Sequence, residues 1–136
     1  MSLEVRMPKF SKRSLERLKT CHPELQKLFL EIVESFDCTI LEGHRNKEKQ
    51  DKAFADGKST KKFPCSQHNR LPSRAVDVAP YPIEWDNLER FYYFAGFVRG
   101  TAYKQGITIR WGGDWDSDTK VHDQKLMDLP HYEVIL

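Results

Sequence analysis

Three observations predict an α+β fold for this chain, with helices packed on a small antiparallel sheet. Segments with apolar residues at three- and four-residue steps are mixed with short β-branched and aromatic runs. The two kinds do not alternate as the βαβ units of a doubly wound sheet would require. No repeat, low-complexity block or Gly/Ser/Pro linker divides the 136 residues, so one domain spanning residues 1–136 is expected.

Each element has a local reason. Ser11 is placed to open a short helix with Leu15 and Leu18 on one side. Pro23 suits a first helical turn, and Leu25, Leu28, Phe29, Ile32, Val33 and Phe36 carry an amphipathic helix to about Phe36. Cys38 to Leu41 reads as a strand ending at Gly43. Asn46 caps a polar helix through Gln50 and Phe54 that Gly57 stops. Lys58 to Ser73 holds Pro64 and Pro72 among clustered polar residues and reads as loop. Ala75 to Ala79 is a short strand ended by Pro80. A long helix is expected from about Trp85 to Gln105, burying Leu88, Phe91, Tyr92, Ala95, Val98 and Ala102 and stopping at Gly106. Ile107 to Trp111 is a strand, Gly112 to Pro130 a long loop, and Tyr132 to Leu136 a closing strand.

Composition narrows the class. With 39% hydrophobic and 12% aromatic residues the chain can build a core, and its charges are interspersed in sign, which excludes disordered, collagenous and coiled-coil classes. The longest apolar run, Phe91 to Val98, falls far short of the roughly 20 residues needed to cross a bilayer. The charged start MSLEVRMPKFSKR lacks the apolar stretch of a signal peptide, so a soluble protein made in the cytoplasm is expected. Against 22 Lys+Arg stand 20 Asp+Glu, and a net charge of 22 − 20 = +2 is too small to argue for nucleic acid. Cys21, Cys38 and Cys65 form no C-x-x-C pair and are read as free, buried and inert thiols, Cys65 alone lying near residues of chemical interest.

Two segments carry chemistry. In Ser66-Gln67-His68 to Ala75-Val76-Asp77-Val78, a loop histidine precedes a carboxylate inside an otherwise apolar strand. Alternation puts Val76 and Val78 on one face and Ala75, Asp77 and Ala79 on the other, where small alanines leave room for an ion. An edge-strand aspartate paired with Arg74 or Arg70 is the alternative. In Asp128-Leu129-Pro130-His131-Tyr132-Glu133, a carboxylate stands three residues before a histidine at the entry to the last strand. His131, Glu133 and Ile135 then share one face. Two histidines and an aspartate suit a three-ligand Zn²⁺ site, and a free carboxylate beside it could take a proton from water. A turn aspartate and a surface histidine remain the plainer reading of that pair.

Ser66-x-His68, Ala75-Val76-Asp77 and Asp128-x-x-His131, taken in order, resemble the zinc D,D-/L,D-peptidases of the VanY-like D-alanyl-D-alanine carboxypeptidase family. They are most similar to small phage endolysins of the L-alanyl-D-glutamate peptidase type. Gly43-x-Arg45 with Gln50, Asp77-Val78-Ala79-Pro80 and Arg110 to Trp115 extend the resemblance over nearly the whole chain. One departure is the spacing of His68 and Asp77, nine positions apart where the family pattern S-x-H-x-x-G-x-A-x-D is shorter; a loop absorbs such an insertion without moving either ligand. The resemblance implies a Hedgehog/D,D-peptidase-like zinc peptidase domain in which His68, Asp77 and His131 bind one zinc ion, Asp128 is the general base and Arg45 steadies a carbonyl or carboxylate. Arg45 has a plainer role in a salt bridge with Glu42 or Glu48. Gln50, Ser66 and Trp115 are expected to bind substrate, and Trp111, Trp115 and Tyr132 to line a groove, although aromatic residues at strand ends often pack instead.

Asp114, Asp116 and Asp118 have the opening spacing of a calcium loop, but Thr119 stands where an EF-hand needs glycine and Lys125 where it needs glutamate. A looser Ca²⁺ site, joined by Asp123, is the expectation there.

The expected function is hydrolysis of an amide in the peptide stem of bacterial peptidoglycan, first between L-alanine and D-glutamate. A D-alanyl-D-alanine carboxypeptidase is the runner-up. A metal-dependent nuclease is disfavoured by the small charge and the lack of a histidine-led β-hairpin. A non-catalytic zinc-containing wall-binding domain is disfavoured by Asp128, since a structural site needs no base. A monomer is expected, without a separate wall-binding module because the site residues from Arg45 to His131 draw on most of the chain. The small charge and short apolar runs argue against a nucleic acid partner and membrane insertion, and the resemblance implies holin-dependent access to the wall.

Overall fold

The computed structural model describes residues 9–120 and 128–136. Ser11 caps α1 (Lys12–Leu18), its hydroxyl accepting from the Ser14 amide at 3.1 Å. The buried residues of α1 are Ser14 and Leu18, whereas Leu15 lies at the surface. The reason is a polar contact: the Ser14 hydroxyl accepts the Ile40 amide at 3.1 Å and so turns this face of α1 onto the first strand. α2 (Pro23–Ser35) starts on its proline, with His22 as cap accepting from the Glu24 amide through Nδ1. β1 (Cys38–Glu42), α3 (Lys47–Ala55) capped by Asn46, β2 (Ala75–Pro80), α4 (Leu88–Gln105), β3 (Ile109–Gly112) and β4 (Asp128–Val134) complete the order. No described helix is long and apolar enough to cross a membrane.

The strands form an antiparallel sheet in the order β1-β2-β4-β3. One face carries Ile40, Val76, Val78, Ile109, Trp111, Tyr132 and Val134 into a core shared with Leu25, Leu28, Phe29 and Ile32 of α2 and with Phe94, Ala95 and Val98 of α4. Phe29 and Tyr132 meet edge to face at 5.6 Å between ring centres, which ties α2 to the middle of β4. Truncating so buried a phenylalanine typically costs about 3–5 kcal/mol. The other face of β2 and β4 presents Asp77, His131 and Glu133, so alternation separates the core from polar groups on the same two strands.

Several boundaries differ from expectation. α4 begins at Leu88 instead of Trp85 because Asn87 caps it, accepting from the Arg90 amide, while Trp85 stacks on Phe91 from outside; Leu88 is exposed. Pro80 belongs to β2, paired with Cys38 at the strand's end. β3 begins at Ile109, after Ile107 has closed the turn from α4 by donating to the Ala102 carbonyl. β4 begins at Asp128 and ends at Val134, taking in residues read as loop. Asp128 pairs with Gly112, where a Cβ would collide with the Asp128 carbonyl, so the glycine allows this close approach. Gln67–Asn69 forms a 3-10 turn inside the expected loop. Cys21 and Cys38 are buried, and burial pushes the Cys21 thiol up to about 12, but Cys65 is exposed on its polar loop.

Candidate metal centre

Strand register builds two-thirds of the site. Asp77 of β2 lies directly opposite His131 of β4, and their side chains emerge on the same face, His131 Nδ1 standing 3.3 Å from Asp77 Oδ1. His68 arrives from the 3-10 turn, where Ser66 caps the turn by accepting from the His68 amide and the Asn69 side chain accepts from the Ser66 amide. Its Nε2 lies 3.2 Å from the same Asp77 oxygen. One ligand atom from each of His68, Asp77 and His131 falls within 4.8 Å of the others.

Each imidazole is oriented from behind. His68 Nδ1 is 2.7 Å from the Gly43 carbonyl, which leaves Nε2 for the centre. Gly43 is required there, since a Cβ would run into Thr20 and the Arg17 carbonyl. His131 Nε2 is 2.8 Å from Glu133 Oε1, which leaves Nδ1 for the centre. Glu133 is buried, and its second oxygen accepts from Arg110 Nη2 at 2.8 Å. Two imidazole nitrogens and a carboxylate oxygen, with both histidines held by an outer hydrogen bond, are the donor set that suits zinc.

Electrostatics agree with this grouping. Burial alone would raise the Asp77 carboxyl, but His68 and His131 beside it hold it well below the usual carboxylate range. For His131, burial opposes protonation, yet Asp77 and Glu133 outweigh it and raise the metal-free imidazole to about 9. The Asp128 carboxyl is half-exposed, 3.8 Å from His131 Nδ1, and raised by burial and then by the charge of Asp77.

The centre opens into a cleft of about 960 Å³. Arg45 and Ser66 line it; Arg45 pairs with Glu42, donates to Gln50 Oε1 at 2.8 Å and brings Nη2 to 4.0 Å from Asp77 Oδ2. Asp77 therefore has Arg45 as its guanidinium neighbour, and Arg45 combines the expected salt bridge to Glu42 with a place at the site. Gln50 does not contact the cleft as a substrate-binding residue would. It is fully buried, its amide donating to Ser59 Oγ and the Lys61 carbonyl and its oxygen accepting from Arg45 and Asn69. Trp115 lines the cleft, its ring 5.2 Å from that of His131 and under the Arg110 guanidinium. Trp111 and Tyr132 are core residues instead of groove walls, Trp111 donating to the Leu129 carbonyl. The sequence alone assigns no role to Glu133 or Arg110, although alternation places Glu133 on the face of His131.

Apart from this centre, the carboxylates of Asp114, Asp116 and Asp118 also converge. Asp114 is buried, bridged to Arg99 at 3.1 Å and accepting from the Asp118 and Thr119 amides. Local desolvation and the neighbouring carboxylates raise the Asp116 carboxyl. Asp123 lies outside the described residues.

Comparison with known proteins agrees with the geometry. The family model described as phage L-alanyl-D-glutamate peptidase matches residues 7–135. The L-alanyl-D-glutamate peptidase of Escherichia phage T5 is 34% identical over 121 residues, covering 85% of this chain and 88% of that protein. The crystal structure of the Serratia marcescens L-Ala D-Glu endopeptidase ChiX superposes with a TM-score of 0.70 at 26% identity, over 91% of this chain and 87% of that one. With a converging His68–Asp77–His131 group, a neighbouring carboxylate and a match along nearly its full length, the chain belongs to the phage L-alanyl-D-glutamate peptidase family.

Proposed function

We propose that this protein is a zinc-dependent endopeptidase that hydrolyses the L-alanyl-D-glutamate amide in the peptide stem of bacterial peptidoglycan and serves as a phage endolysin. The observation that carries the proposal is the convergence of His68, Asp77 and His131 on one point at the floor of an open cleft, with Asp128 at its edge. Bound by these three residues, zinc supplies Lewis acidity that polarises a carbonyl and brings the pKa of water to about 7.

The chain's own groups do the rest. Asp128, with its carboxyl raised and half in solvent, accepts the proton of the attacking water and delivers it to the amide nitrogen as the C–N bond breaks, leaving a carboxylate and an amine. Arg45, fixed by Glu42 and Gln50, holds negative charge developing on the substrate side of Asp77. Glu133 and Gly43 keep both imidazoles in the tautomers that offer a lone pair inward. The proposal includes action as a single-domain monomer, and access to the wall through a holin-type lesion, the latter being what the resemblance implies.

Mass spectrometry of purified muropeptides tests it. Wild-type protein is expected to release stems cut after L-alanine, chelation to stop this, and Asp128→Ala to lower turnover by about 10²–10⁴-fold with zinc content unchanged. Release of free D-alanine without stem cleavage would overturn the assignment in favour of a D-alanyl-D-alanine carboxypeptidase.

A further inference from the structure

The cleft has two unlike walls. On one side stand Trp115 and Arg110, with Arg110 committed to Glu133. On the other, α3 and the segment after it present Lys49, Lys52, Lys58 and Lys61, all exposed, against the single carboxylate of Asp56. None of these four ammonium groups has a carboxylate partner among the described residues. Elsewhere such partners occur: Lys47 bridges Asp51 on the outer side of the same helix, and Lys104 bridges Glu31. Lys49 and Lys52 are three positions apart and so share a face of α3. The segment carrying Lys58 and Lys61 is set against the site from within, because the buried Gln50 amide holds Ser59 and the Lys61 carbonyl while its oxygen holds Arg45.

We propose that this lysine wall binds the carboxylates on the amine-leaving side of the scissile bond and thereby orients the stem in the cleft. The inference rests on the L-alanyl-D-glutamate reading above and adds a direction to it. Across such a bond the alanyl side offers a methyl group, whereas the glutamate half carries the acidic group. A cleft charged on one wall accepts that asymmetric substrate one way round, with the glutamate half along α3 and the alanyl half toward Trp115. Exposed ion pairs of this kind are individually weak and salt-screened, so several must act together.

The test compares zinc-loaded wild type with Lys52→Ala/Lys58→Ala/Lys61→Ala on two synthetic stem peptides, one with a free glutamate carboxylate and one with a carboxamide in its place. For the variant on the acidic peptide we expect KM to rise about tenfold with kcat within about twofold, the loss of uniform binding. Wild type is expected to disfavour the amide peptide similarly at low salt, and the variant to treat the two peptides alike. An unchanged KM, or a variant that keeps the preference for the acid, would overturn the proposal. Losses seen on intact walls but not on isolated peptides would also overturn it and assign the wall to another anionic polymer. Calorimetric binding of both peptides to Asp128→Ala protein, with and without the three lysine changes, reads the subsite without turnover. If wild type cleaves neither peptide, the functional reading fails while the binding comparison still decides the subsite.

Discussion

Glu133 offers the sharpest probe of how the centre is held. In Glu133→Ala, the His131 Nε2–H loses its acceptor at 2.8 Å, and the His131 side chain is only 9% exposed, so water does not readily replace the carboxylate. Arg110 loses the same partner, but its side chain is 42% exposed and can turn to solvent at little cost. The penalty therefore falls on His131. An unsatisfied buried donor costs about 1–3 kcal/mol. Loss of an outer hydrogen bond to a metal-binding histidine lowers affinity about 10–100-fold, equivalent to about 1.4–2.7 kcal/mol. The two figures agree because they describe one event, the release of the imidazole from the orientation that aims Nδ1 at Asp77. Glu133→Gln keeps an acceptor for Nε2–H without the charge and should fall between wild type and alanine. Zinc affinity measured by competition with a chromophoric chelator is the assay. Affinity of Glu133→Ala within about twofold of wild type would show that the sheet alone positions His131.

In metal-free protein, His131 is raised from 6.5 to about 9, so its protonated form stabilises the fold fully below about pH 6.5 and that contribution, about 3 kcal/mol, is lost as pH rises toward 9; denaturant titrations after chelation that show flat stability over this range would contradict it. Zinc binding to Nδ1 must displace the same proton, so calorimetry in buffers of different ionisation enthalpy is expected to count a proton released at neutral pH. Gln50→Ala is expected to cost about 2–4 kcal/mol and to reduce kcat by loosening Arg45, with a loss under 1 kcal/mol counting against a linking role. Calcium added to a chelated sample is expected to raise the melting temperature by relieving repulsion among Asp114, Asp116 and Asp118, an effect that Asp118→Asn should weaken; unchanged melting would remove the calcium site.

Features set by neighbouring residues were legible in the sequence. Ser11, Pro23 and Asn46 begin their helices because a cap or a fixed φ acts within one turn. The three metal-binding candidates and Asp128 were legible because motif order survives an insertion that a loop absorbs, and the spacing of nine between His68 and Asp77 is taken up before β2. What escaped depends on distant partners. Pro130 and Asp128 look like loop, yet pairing with a glycine on β3 draws them into β4. Gln50 sits on a polar helix whose neighbours are exposed, and only the segment folding back over it through Ser59 and Lys61 buries its amide. Trp111 and Tyr132 could not be assigned to core or groove until sheet register decided which face each took.

The placement of the three proposed ligands on a turn and on the two middle strands, β2 and β4, would make a bound ion a cross-link as well as a reagent. Strand β4 lies between β2 and β3 in the sheet. Here it would be clamped at His131 to Asp77 on β2 and to His68 before it, so peeling β4 away would first require the ion to leave. A one-residue slip between β2 and β4 would turn His131 into the apolar layer and unmake the clamp. Stability and chemistry would thus rest on the same three side chains.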